Sequence, residues 1–153
     1  MSNVEVVKSA RYLTLIVLAL ALLGVMLNSA GLLSADVAGA AKIRYLAATL
    51  PTLFYLAAIW MIQRAHAAIA RGEAVEPALA TLLERLGVCL FFGGIARVFG
   101  ELLLVRLLLG VQTSWAWFDI AAITLGCVGL LLFVLARPLR DAVKARAELA
   151  EIL

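Results

Sequence analysis

The sequence predicts an all-α integral membrane protein: a four-helix transmembrane bundle with a C-terminal amphipathic helix. Three observations carry that expectation. Of the 153 residues, 65% are hydrophobic and only 15% are charged, well outside the usual soluble range. Four apolar runs approach or exceed the roughly 20 residues a helix needs to cross the hydrocarbon. Tyr12, Tyr45, Trp60, Trp115 and Trp117 stand near the ends of those runs, as an interfacial aromatic belt requires. Four spans with short connections use up the chain, so 1–153 reads as one membrane domain.

The first span, 12–33, contains no charge. Ala38, Gly39 and Ala40 resemble a signal cleavage site, but the apolar run is far longer than the about 7–15 residues of a signal core. It is expected to remain as an uncleaved helix. The second span, 45–62, carries Pro51 in its first turns, where a missing N–H is tolerated. Its helix is expected to continue to Arg71 and stop at Gly72, a favourable C′ residue. The third helix should restart with Pro77 in its first turn, after Glu73 and Glu76, which suit the positive end of the dipole. Its span, about 86–109, holds Arg97, Glu101 and Arg106. The fourth span, 115–136, has Asp119 near its start. In the tail, 137–153, apolar positions 139, 142, 143, 149 and 153 alternate with charged ones. That pattern predicts a short amphipathic helix lying on the membrane or against the inner loop.

Charge distribution sets the orientation. Lys8, Arg11, Arg64, Arg71, Arg85, Arg137, Arg140, Lys144 and Arg146 all fall on one side of a four-span chain, against Lys42, Arg44 and the marginal Arg106 on the other. The positive-inside rule places both termini and the tail in the cytoplasm. The net charge of +3 is small, and its pattern is unlike a nucleic-acid surface, so no direct nucleic-acid binding is expected. No low-complexity tract, heptad run or internal repeat stands out.

The segment Ala70, Arg71, Gly72, Glu73 with Pro77, the run LLERLG at 82–87, the tail AELAEIL at 147–153 and the four-span layout go together. In these the chain resembles a bacterial family of small membrane proteins known as domain of unknown function 2975. The resemblance covers most of the chain. It implies the four-span fold and a bacterial inner-membrane location but no activity. Members of that family are often associated with small helix-turn-helix regulators, which favours a regulatory or accessory role.

The chemistry-bearing candidates lie in the membrane. A charge near the bilayer centre costs from a few to about ten or more kcal/mol, so Arg97 and Glu101 call for a reason. Spaced i to i+4, they share a helix face and can pair. At about 1.5 Å per residue, Arg97 is expected near mid-membrane and Glu101 in the outer half. Asp119 and Asn28 then fall within about two turns of the outer surface, in the same half as Thr49, Thr52 and Tyr55. Two readings are open. Arg97, Glu101, Asp119 and Asn28 line a small polar cavity open to the outside, or the Arg97–Glu101 pair is a structural lock and the others are ordinary interhelical partners. Asp119, so near its helix start, could equally reach interfacial water or meet Arg106.

Small residues form three stripes: Gly93, Ala96 and Gly100; Asp119, Ala122, Gly126 and Gly129; and Ala21, Gly24, Asn28 and Gly31. They read as intramolecular packing surfaces, with homo-oligomerisation through one of them as the alternative. Cys89 and Cys127 have no CxxC context and read as two small buried hydrophobes. His66 has no companion ligands at metal or haem spacing and reads as an interfacial histidine. No nucleophile–base pair, phosphate loop or metal motif is present, so neither catalysis nor a cofactor is expected. The expectation is a non-enzymatic accessory or regulatory membrane protein, with the lipid bilayer and a cytoplasmic protein as partners. The alternative is a small transport or ligand-sensing protein using the outer polar cavity.

Overall fold

A computed structural model describes residues 3–30, 39–110 and 118–152; the side chains at 3–8, 28, 30, 101 and 150–152 lie outside that description. All regular structure in it is helical. Helix α1 covers Asn3–Ala30, α2 Gly39–Ala70, α3 Val75–Ile95, α4 Glu101–Leu109 and α5 Ile120–Ile152. A π-helical turn, Ala96–Gly100, joins α3 to α4, so 75–109 is one unbroken rod. Four of the helical segments are long and apolar enough to cross a membrane. The chain is therefore a multi-pass, all-α membrane protein.

The helices follow one another in space as they do in sequence. Helix α1 packs on α2, α2 on the α3–α4 rod, and α3 on α5; among the described residues α1 touches α2 alone, which leaves the bundle open between α1 and α5. In the apolar window of α1 only Leu18 is buried among the described residues. In lipid this costs little, because hydrocarbon tails solvate Leu13, Ile16, Leu20 and Leu23 as well as protein would.

Close backbone approach holds α3 to α5. A Cβ added to Gly87 would lie 2.6 Å from the Gly129 carbonyl oxygen and 2.6 Å from the Phe133 nitrogen, and one on Gly94 would lie 2.7 Å from the Ala122 oxygen. The stripe Ala122, Gly126 and Gly129 is thus an intramolecular packing surface, and its partners are Gly87 and Gly94. Gly93 faces the other way, against Phe54 and Tyr55 of α2. The α1 stripe behaves differently: nothing lies within 4 Å of where a Gly24 Cβ would stand. Gly31 of that stripe lies outside the described residues. At Gly24 the expectation of packing is corrected, because α1 meets its single neighbour through another face.

Other element boundaries differ from expectation for local reasons. Helix α2 begins at Gly39, so Pro51 sits a dozen residues inside it, fully buried, where it removes the bond to the Ala47 carbonyl. The end of α2 is as expected. The Gly72 N–H donates to the Ile69 carbonyl and the Glu73 N–H to that of Ala68, while Gly72 takes φ +87°; together these form a Schellman stop that glycine makes cheap. Helix α3 restarts with Pro77 in its first turn.

The tail is a continuation of α5 rather than a short helix of its own, and of its two expected placements it takes the one against the α2–α3 connection. Helix α5 runs through Pro138 without a break to Ile152. Its 33 residues make about 50 Å, against about 30 Å of hydrocarbon, so about 20 Å projects beyond it. That projection docks on the first turns of α3: Arg140 pairs with Glu84, and Arg146 with Glu76. The start of the fourth span also moves. It begins at Ile120 rather than Trp115, and 111–117, including Trp115 and Trp117, lie outside the described residues.

Candidate functional site

The π turn places Arg97. Helix α3 packs on both α2 and α5, whereas α4, beyond the turn, packs on α2 and, among the described residues, not on α5, which starts level with the turn. Arg97 lies within the turn itself and extends towards the start of α5. Its Nε donates to Asp119 Oδ2 at 3.4 Å. Asp119 thus meets Arg97, 22 residues away, a partner its position near the helix start did not suggest.

Asp119 has a second role. The Ala122 N–H donates to its Oδ1 at 3.1 Å, and the Ile123 N–H to its main-chain oxygen at 3.0 Å. It is the N-cap of α5, satisfying one of the orphan donors that every helix start presents. Accepting the Ala122 N–H, and then Arg97, holds its carboxyl below the ordinary carboxylate value. Both oxygens are committed, one to the helix end and one to the guanidinium.

Tyr55 of α2, which packs against Gly93, lies within electrostatic reach of both Arg97 and Asp119. Tyr55 carries one signal in the sequence, its place in the outer half of span two. Of the other two candidates, Glu101 opens α4 and Asn28 lies near the end of α1, but both side chains are outside the described residues. The structure thus brings Arg97 and Asp119 together. None of three cavities among the described residues is lined by any of the four candidates.

Those cavities lie elsewhere. Two are apolar grooves between α3 and α5, of about 330 and 180 Å³, lined by residues such as Phe91, Gly94 and Leu130. The third, about 370 Å³, sits between the connected ends of α2 and α3 and is lined by Arg64, Arg71 and Arg85 together with Trp60 and Thr81. In the sequence these arginines served to orient the chain, and Arg71 also to end the second helix and to carry the family resemblance, but none was read as a site. The available signal was their spacing on two antiparallel helix ends joined by a tight turn.

The remaining singled-out residues have modest roles. The His66 Nδ1 lies 3.3 Å from Thr14 Oγ1 and so forms a polar tie between α1 and α2. Cys89 is buried against Met61, as expected, whereas Cys127 is exposed, beside the groove between α3 and α5. Gln63 is buried with an Oε1 that finds no hydrogen-bond partner among the described residues. No group of three or more His, Cys, Asp or Glu among the described residues could hold a metal ion.

No protein-family model matches the chain, and neither the curated proteins nor the solved structures include a match to it.

Proposed function

We propose that this chain is a non-enzymatic accessory or regulatory protein of the bacterial inner membrane, with both termini and the α2–α3 connection in the cytoplasm. It acts there through a platform built by the ends of α2, α3 and α5. The observation that supports this reading is the docked extension of α5. A tail needed only for membrane attachment would gain by spreading on lipid, yet this one stands on α3 with Arg140 on Glu84 and Arg146 on Glu76. Its far face, with Asp141, Lys144, Ala145 and Glu148, is left exposed for a protein partner. The basic residues counted for topology gather at the same end, which supports the orientation. The resemblance to the domain of unknown function 2975 family points the same way.

The Arg97–Asp119 pair fits this reading as a lock rather than a ligand site. A second reading, transport or ligand sensing from the outer side, draws on Tyr55 standing near both charges. Site-specific photocrosslinking in native membranes separates the two. Probes at positions 141 and 148 should capture a protein partner that probes at position 103 on the opposite end do not. Capture from position 103 alone would overturn the accessory reading.

A further inference from the structure

We propose that the cavity between the connected ends of α2 and α3 is a binding site for the phosphate of an anionic membrane lipid. Charge accounting comes first. Three acidic side chains near this end each have an arginine partner: Glu73 with Arg71 at 2.8 Å, Glu76 with Arg146, and Glu84 with Arg140. Arg64 and Arg85 line the same cavity, and among the described residues neither makes a hydrogen bond or ion pair. Two guanidiniums are thus held across one cavity with their donors unspent, and the third, Arg71, is only partly occupied by Glu73. Guanidinium is the side chain best matched to phosphate oxygens, since its planar fork donates two parallel bonds.

The backbone adds to the same field. Helix α3 starts at the cavity wall, and its N-cap, Ala74, supplies no side-chain acceptor for the first-turn N–H groups. The positive end of this helix lies at the cavity, where Glu73, also in the lining, and Glu76 of the first turn already stand, each held by an arginine, so its contribution is secondary to that of Arg64 and Arg85. Thr81 brings a hydroxyl to the lining, although it also donates to the Pro77 carbonyl.

The surroundings identify a lipid as the source of the phosphate. The membrane-ward part of the lining is Trp60, Met61 and Leu82, and Trp60 is 54% exposed on the outside of the bundle. An interfacial tryptophan marks the headgroup level, so a phosphate at the arginines would sit where lipid phosphates already are, with acyl chains running down past Trp60. Basic cavities between helices at this depth are the recurring form of anionic headgroup sites. At about 370 Å³ the space falls within the roughly 300–1,000 Å³ of small-molecule sites. This inference is independent of which leaflet that end faces.

The test is native mass spectrometry of the full-length protein in a non-ionic detergent, titrated with phosphatidylglycerol or phosphatidylcholine. The wild type should retain one saturable equivalent of phosphatidylglycerol, about ten- to thirtyfold more tightly than phosphatidylcholine. Arg64→Gln with Arg85→Gln should abolish the preference, Arg64→Lys with Arg85→Lys should keep part of it, and Arg140→Gln should leave it intact. Equal retention of the two lipids by the wild type would overturn the proposal without any variant. So would an unchanged preference in the folded glutamine double variant. Displacement of the bound lipid by millimolar inorganic phosphate would instead assign the site to soluble phosphate and overturn the lipid source.

Discussion

Gly87 and Gly24 make a matched pair, because the same substitution should move stability in opposite directions. At Gly87 a new Cβ would stand 2.6 Å from two backbone atoms of α5, about 0.8 Å inside ordinary contact, and backbone cannot swing aside as a side chain can. The helices must separate, at an overpacking cost of about 1–3 kcal/mol. Against that, alanine gains about 1 kcal/mol over glycine in a helix interior. Gly87→Ala should therefore be destabilising by about 0–2 kcal/mol. At Gly24 nothing lies within 4 Å, so only the propensity gain remains and Gly24→Ala should be stabilising by up to about 1 kcal/mol. The difference between the two, about 1–3 kcal/mol, isolates the α3–α5 contact. Reversible unfolding in mixed micelles, each variant against wild type, measures it. If both variants shift stability alike, α3 and α5 do not meet through Gly87 and Gly129, and the packing argument is wrong.

Three further outcomes can be checked. Arg97→Leu and Asp119→Asn should each lower the yield of folded protein in membranes, and the double variant should lose less than the two losses added. Because the Asp119 carboxyl is depressed in the folded state, its contribution is complete above the ordinary carboxylate range and is lost as pH falls through and below it. An acid-unfolding curve of Asp119→Asn should therefore lack that limb; an unchanged curve would count against the pair. Arg140→Glu with Arg146→Glu should expose the chain beyond Pro138 to protease, and Glu76→Arg with Glu84→Arg should restore protection in the same protein. Each exposed pair is worth only about 0–1 kcal/mol, so the loss should be a local undocking with the bundle intact. For topology, cysteines at positions 2 and 39 in a background without Cys89 and Cys127 should react differently with an impermeant maleimide in intact cells. Labelling at 39 alone is expected, and labelling at 2 alone would reverse the orientation.

Properties that a segment carries alone are legible in its residues. Crossing a membrane depends on local length and apolarity, so all four spans could be read from composition. The stop at Gly72 was legible too, because a left-handed C′ residue is a local steric preference, and so was the restart at Pro77. Where the sequence reading went astray, the deciding partner lay far along the chain. Asp119 was read as meeting water or Arg106, yet Arg97 reaches it across a helix–helix contact from within a π turn that no spacing rule announces. The tail read as a short helix of its own, but α5 runs straight through Pro138 with Arg140 and Arg146 docked on α3. Gly87 and Gly94 become packing residues only once α5 lies against them. The arginine-lined cavity likewise exists only because a tight turn folds α3 back along α2. In a bilayer each helix can form independently, since its backbone bonds close within the segment. Which faces then meet depends on side chains brought together from distant positions, and that is decided in the assembled bundle alone.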